Sequence, residues 1–244
     1  MDYTKYETFK YYFQADGFIP FTGPIAERIK KRVKEIIKNS ALSDELLNIA
    51  VRSLSVITEQ DLATMFATQD EHCVKCGNCC RTCSPIVASK EELKIIARHL
   101  GISYKTLKKR YKIFPRKKGQ FNIPAKPCPF LRGKNFCEIY EVRPSVCRNH
   151  PTGYAVASLL EGQGLMVPKG CPSIEKMLTN TAASRVLHEI IYKEKPELYE
   201  KLSQYAESKY KDAHDKPTGE RIERYIQISR ELFKEIKEAE KKEK

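Results

Sequence analysis

Cys73-Val-Lys-Cys76-Gly-Asn-Cys79-Cys80-Arg-Thr-Cys83 places five cysteines within eleven positions. The remaining four of the chain's nine follow as Cys128-Pro-Phe-Leu, Cys137-Glu-Ile-Tyr, Cys147-Arg and Cys171-Pro. Thiolates at this spacing suit a soft metal centre. The segment that carries them, residues 71–173, is rich in Pro, Gly and short loops, with helical periodicity confined to 89–112. It can bury little apolar area for its length, so bound metal is expected to supply folding free energy.

On either side the pattern changes. Pro24 stands where a helix can begin, and Ile25, Ile29, Val33, Ile36 and Ile37 recur at helical spacing. A second helical pattern runs from Ser43 to Met65 with Leu46, Leu47, Ala50, Leu54 and Ile57 on one face. From Ile174 the chain turns helical again through Leu187, Ile190, Ile191, Leu198 and Leu202. Lys216-Pro217-Thr218-Gly219-Glu220 breaks it, and a last helix carries Ile222, Ile226, Ile228, Leu232 and Ile236. Residues 1–23 hold eight aromatic rings and few basic residues, which predicts an extended or turn-rich arm packed on the helices rather than a base-stacking platform. The expected fold is therefore mainly α, with helical amino- and carboxy-terminal layers around an irregular, loop-rich cysteine core. The expected regions are 1–70, 71–173 and 174–244.

Composition narrows the chemistry. The 244 residues are 41% hydrophobic and 31% charged, with a formal charge of +13. The amino terminus lacks the basic start and apolar stretch of a secretory signal, and no apolar run approaches the roughly 20 residues of a membrane span. A cytoplasmic protein with no membrane association is expected. In a reducing compartment, dense cysteines point to metal or redox chemistry rather than disulfides, and the odd count leaves one thiol over in any all-disulfide scheme.

Cys73, Cys76 and Cys79, in successive C-x2-C steps, can wrap corners of an iron–sulfur cubane. Cys79-x3-Cys83 repeats the ferredoxin distance, but Ser84 intervenes before Pro85. Cys128-Pro129 and Cys171-Pro172 are candidates for a distant fourth ligand. Zinc remains the rival metal: it favours two C-x2-C pairs per ion, and 73/76 and 80/83 supply overlapping pairs. Three thiols in successive steps fit a cluster better than a tetrahedron. Thiol redox chemistry is the third option. His72 and His150 flank the cysteine segments as possible substitute ligands or outer hydrogen-bonding residues, whereas His99, His188 and His214 fall on expected helices. Arg143 and Arg148 stand beside thiols where guanidinium N–H groups can offset thiolate charge, or Arg143 can pair with Glu141 or Glu138.

Cys73-x-x-Cys76-Gly77-x-Cys79-Cys80, then Cys128-Pro-Phe-Leu131, Gly133, Cys137-x-Ile-Tyr140-Glu-x-Arg143-Pro144-x-x-Cys147-Arg148 and Cys171-Pro172, resembles the CxxCxxCC cysteine-cluster proteins, the YkgJ-like family described as zinc- or iron-chelating. The resemblance covers about residues 71–173. It implies eight core cysteines, Cys73, Cys76, Cys79, Cys80, Cys128, Cys137, Cys147 and Cys171, with Cys83 as a possible extra ligand. Flagellin lysine N-methylases look similar over the same cysteines, which implies an iron–sulfur centre and, more remotely, methyl transfer. The chain shows no Gly-rich loop after a strand of the kind a Rossmann-type nucleotide site needs.

Residues 89–112 also carry a helix-turn-helix pattern. Ser89 and Glu92 make a capping box, and Ala97, Gly101, Ile102 and Leu107 fall at packing positions. Over 89–118 eleven Lys/Arg stand against two Glu, a net of +9. A DNA reader would place Ser103–Arg110 in the major groove. A helical hairpin packed over the metal needs the same Ala and Gly, and the resemblance implies such a hairpin. Contact with RNA or another polyanion, without base readout, is the further alternative. Three functions are thus carried forward: an iron–sulfur protein of structural or electron-transfer role, a methylase-like enzyme, and a zinc-stapled nucleic-acid-binding module.

Overall fold

The periodicity that begins at Pro24 forms helix α1 (Pro24–Ile36) in a computed structural model, which describes Thr8 and residues 22–39, 42–82, 85–153 and 171–242. The aromatic stretch of residues 1–21 lies, Thr8 apart, outside the described residues, as do Cys83 and Ser84. The fold is mainly α. Among the described residues no helix is long and apolar enough to cross a membrane. The chain divides into two compact units: residues 73–172 form one, and residues 1–72 together with 173–244 form the other.

In the helical unit, α1 buries Ala26, Ile29 and Val33, while Ile25 and Ile36 are exposed. The inward face is set by Ala26, which the pattern of isoleucines left out. Ser43 caps α2 (Asp44–Arg52), its hydroxyl accepting from the Leu46 amide at 3.1 Å. The helix expected to run on to Met65 stops instead at a 3-10 turn, Ser53–Ser55, and restarts as α3 (Glu59–His72). The cause is local capping. The Asp61 carboxylate accepts from the Thr58 amide at 2.9 Å, and the Thr58 hydroxyl accepts from the Asp61 amide at 3.0 Å.

The break is stabilised from a distant part of the chain. Arg185, on α8 (Pro172–Glu194), is only 4% exposed. Its guanidinium donates to the Ser53 carbonyl (2.6 Å), the Ser53 hydroxyl (2.7 Å), the Val56 carbonyl (2.8 Å) and the Asp61 carboxylate (2.6 Å). A buried cation so paired satisfies the carbonyls that the broken helix leaves over. Pro196 then opens α9 (Pro196–His214), and the expected break at 216–220 separates it from α10 (Thr218–Lys242). α10 packs on α3, where Arg221 makes two bonds to Glu59, at 2.6 and 2.9 Å.

The cysteine unit is built of shorter pieces. Ser89 and Glu92 form the capping box of α5 (Lys90–His99), with bonds of 3.1 and 2.7 Å. α5 ends in a Schellman motif: Ile102 donates to the Ala97 carbonyl and Gly101 to the Arg98 carbonyl. Gly101 has φ +65°, a conformation glycine adopts freely. α6 (Tyr104–Arg110) follows, capped by Ser103. Where the sequence predicts loops, the unit also holds short antiparallel strands. Strands β1 (Ile86–Ser89), β2 (Phe114–Pro115) and β3 (Gln120–Ile123) form a sheet of order β1-β3-β2, and β4 (Leu131–Arg132) pairs with β5 (Phe136–Cys137).

Its core gathers Leu93, Ile96 and Ala97 of α5, Leu107 of α6, and Ile113, Ile123, Phe130 and Ile139. Tyr111 and Phe130 pack with ring centroids 4.5 Å apart. Cys128, 5% exposed, belongs to this core, and Cys80 and Cys137 pack against it. Ala97 and Leu107 therefore face the cysteine core, as a packed hairpin requires.

Candidate metal centre

After α3 the chain runs without regular structure through Cys73–Gly77 into one short helix, α4 (Asn78–Thr82), which carries Cys79 and Cys80. Gly77 makes the corner with φ +72°. A Cβ there would sit 3.0 Å from the Arg81 guanidinium and 3.2 Å from the Asn135 Cα, so only glycine fits without displacement. Arg81 closes this corner. Its guanidinium donates to the Cys76 carbonyl at 2.5 Å, to Asn78 Oδ1 at 3.1 Å and to the Lys134 carbonyl in the β4–β5 turn.

Further bonds draw the other cysteines in. The Cys128 amide donates to the Cys80 carbonyl at 2.7 Å, joining the two cysteine segments through the backbone. Cys137 sits on β5 opposite Leu131, within the hairpin that Arg132 and Glu138 clamp with a 2.5 Å ion pair. Cys147 rides on α7 (Ser145–Arg148). The Ser145 amide donates to Glu92 Oε1 at 2.7 Å, so the carboxylate that caps α5 also fixes the start of the helix bearing Cys147. Desolvation works against the Glu92 carboxylate, but the Ser89 and Ser145 hydrogen bonds outweigh it and hold its pKa below the usual range.

Cys79, Cys80, Cys128, Cys137 and Cys147 share one electrostatic neighbourhood. Burial, first, and then the neighbouring Cys128, Cys79 and Cys137 push the Cys147 thiol up to about 12. Cys128 and Cys137 are raised chiefly by burial, opposed by backbone amides: Phe130 and Leu131 for Cys128, Ile139 for Cys137. The Cys79 and Cys80 sulfurs lie 3.9 Å apart. Their mutual hydrogen bond lowers Cys79 to about 6 and raises Cys80. The Arg143 guanidinium lowers Cys79, Cys137 and Cys147. It stacks 3.8 Å over the Tyr140 ring, and Lys75 lies 4.3 Å from the same ring.

This donor set fits a thiolate-bound metal. Five thiols, half-buried on average and mutually repelling when ionised, are stabilised as thiolates by a cation among them. The amides beside Cys128 and Cys137 and the guanidinium of Arg143 already favour the ionised form. Among the described residues no three Cys, His, Asp or Glu side chains close to metal-binding distance, so the thiols are grouped but not converged on one point. All eight described cysteines are free thiols.

Cys73, Cys76 and Cys171, half-buried, are not among the charges that chiefly perturb the other five. Cys83 lies outside the described residues. His72 Nε2 lies 3.3 Å from the Asn180 amide, and burial lowers the pKa of both His72 and His150. His99 meets the Glu138 carbonyl at 3.3 Å. Glu138 pairs with Arg132, and Arg148 is exposed on α7. Arg81 and the second role of Glu92 escaped the sequence reading. Adjacency to Cys79 and Cys80 could have signalled Arg81, whereas the bond from Glu92 to Ser145 spans 53 residues and leaves no local trace.

Residues 72–172 match the model of the CxxCxxCC family, whose description reads "Putative zinc- or iron-chelating domain". That match supports zinc or iron binding and accords with the resemblance read from the cysteine spacing. Over 82 residues the chain is 40% identical to an uncharacterized protein of Methanocaldococcus jannaschii, a stretch covering 33% of this chain and 43% of that one. The chain thus spans less than half the length of this curated relative. No solved structure matches it.

Proposed function

We propose that this chain is a cytoplasmic iron–sulfur protein whose cysteines, drawn from separate segments of one unit, hold a 4Fe–4S-type cluster in a structural or electron-carrying role. The observation that carries this reading is the gathering of cysteines from separate segments: the Cys79 and Cys80 sulfurs lie 3.9 Å apart, the Cys128 amide bonds the Cys80 carbonyl at 2.7 Å, and Cys80, Cys128 and Cys137 share one core. Structural zinc sites typically draw on two C-x2-C pairs, whereas these thiols are one adjacent pair and three separate residues. The family description, zinc- or iron-chelating, covers either metal.

Within this reading Cys128, Cys137 and Cys147, carried by a loop, a strand and a short helix, would hold the cluster together with thiols from Cys79 and Cys80. Phe130, Leu131 and Ile139 direct amide hydrogens toward sulfur, which tunes the redox potential of bound iron–sulfur centres. A cluster held here supplies a reversible one-electron centre and a covalent cross-link between the segments.

Anaerobic purification followed by iron, zinc and acid-labile sulfide analysis tests it, with wild type beside Cys128→Ala. Brown protein with iron and sulfide, both lost in the variant, is the expected result. Colourless protein with stoichiometric zinc and no sulfide overturns the proposal.

A further inference from the structure

Between Leu93 and Cys137 there is no acidic residue, yet this stretch contains thirteen Lys and Arg. The fold does not disperse them. Lys105, Lys109 and Arg110 are exposed on α6, and Arg116, Lys117 and Lys118 are exposed on the turn between β2 and β3. Among the described residues none of these six takes part in an ion pair; the pair that forms nearby joins Arg132 to Glu138. Six unpaired cations on adjoining elements repel one another, and an anionic polymer relieves that repulsion by releasing its counterions.

Aromatic rings are interleaved with this charge. Phe114, on the edge strand β2, is 46% exposed and stands two residues before Arg116. Lys108 ties the helix to the sheet, its ammonium lying 5.2 Å from the Tyr104 ring centroid and 5.3 Å from that of Phe121. Tyr104 and Phe121 pack edge to face at 6.3 Å. Phe121 pairs with Pro115 and Phe114 with Asn122, so Phe114 lies on the opposite face of the sheet from the Tyr104–Phe121 pair, beside the basic turn at the sheet edge.

We propose that this basic edge of the cysteine unit binds single-stranded nucleic acid, with backbone phosphates on the β2–β3 and α6 cations and a base stacked on Phe114 where the nucleic-acid strand passes round the sheet edge. α6 has only seven residues and spends Leu107 on the core, so the recognition-helix role expected of Ser103–Arg110 gives way to backbone contact and stacking. A lipid surface fits less well. Phe114 is the only large exposed apolar side chain among the described residues of 104–120, and membrane association needs a broad apolar face. The site does not depend on which metal the cysteines hold.

The test is fluorescence anisotropy of the full chain with a labelled, mixed-sequence single-stranded RNA, titrated over a range of salt. Affinity is expected to fall steeply with salt, with a logarithmic slope of about −0.7 per phosphate contacted. Arg116→Gln/Lys117→Gln/Lys118→Gln should flatten that slope by about 2. Phe114→Ala should weaken binding about tenfold and leave the slope unchanged. A control triple, Lys201→Gln/Lys211→Gln/Lys234→Gln, should change neither. Circular dichroism and metal content identify any variant that fails to fold, and Lys105→Gln/Lys109→Gln then serves as the second test of slope. Salt-independent binding, an equal loss in the control triple, or binding only to phosphatidylglycerol vesicles and not to RNA would each overturn the proposal.

Discussion

The two units solve the same problem with different means. The helical unit lines up long elements, buries Ile29, Val33, Leu47 and Leu54, and spends one buried cation, Arg185, on the carbonyls its broken helix leaves over. The cysteine unit has strands of two to four residues and helices of four to ten. Its segments are tied by single contacts at defined points: Arg81 to Lys134, Cys128 to Cys80, Glu92 to Ser145. Both units bury an apolar core, but the cysteine unit, with no long elements, leans more heavily on such joints. Area tolerates the loss of any one contact better than a set of joints does.

Removing the metal should separate the two most sharply. Bound structural metals contribute on the order of 10 kcal/mol of folding free energy. Chelation, or Cys128→Ala, should therefore abolish hydrogen-exchange protection across 73–172 while most far-ultraviolet helical signal survives. Uniform loss of protection across both units would break the comparison.

Arg185→Met is the mirror experiment. It leaves buried carbonyls and the Asp61 carboxylate without their partner, at a cost of about 3–5 kcal/mol. Thermal unfolding should shift down with metal content unchanged. Loss of metal in this variant would show that the units are not independent.

Glu92→Gln gives the smallest effect, about 1 kcal/mol, because it weakens one cap and one bond to Ser145. The sign follows from the lowered pKa. A carboxylate whose folded pKa is depressed stabilises above its unfolded value of about 4.3, and that contribution is lost as pH falls through the lower folded value. Wild type and variant should differ at neutral pH and converge in acid, as read by unfolding across a pH series.

Local signals in the sequence found local structure. The Ser89–Glu92 box, the Leu100–Ser103 turn and the 216–220 break all stand where their residue types indicate. The stop at Arg52 was legible too, in Thr58-x-x-Asp61, but the apolar periodicity running through it masked the cap. Strands of two residues are shorter than one period of alternation, so β2, β4 and β5 carried no pattern to read. The cysteines declared the site by type. Their grouping did not follow from spacing, because Cys79 and Cys80 meet Cys128, Cys137 and Cys147 through a backbone bond and a hairpin rather than through neighbours in the chain. Arg185 was invisible for the same reason: its partners lie 124 to 132 residues away.

The helical unit is interrupted by a hundred residues, yet the chain leaves and rejoins it at nearly one place, with the His72 ring 3.3 Å from the Asn180 amide. In polymer terms the cysteine unit is a loop whose ends are already closed. Were it to melt, the helices would have to hold together a hundred-residue disordered loop instead of a short one. Loop-closure entropy grows only with the logarithm of length, so relative to a ten-residue connection this costs about 2 kcal/mol. The helical frame can therefore wait, assembled, for an insert that orders later.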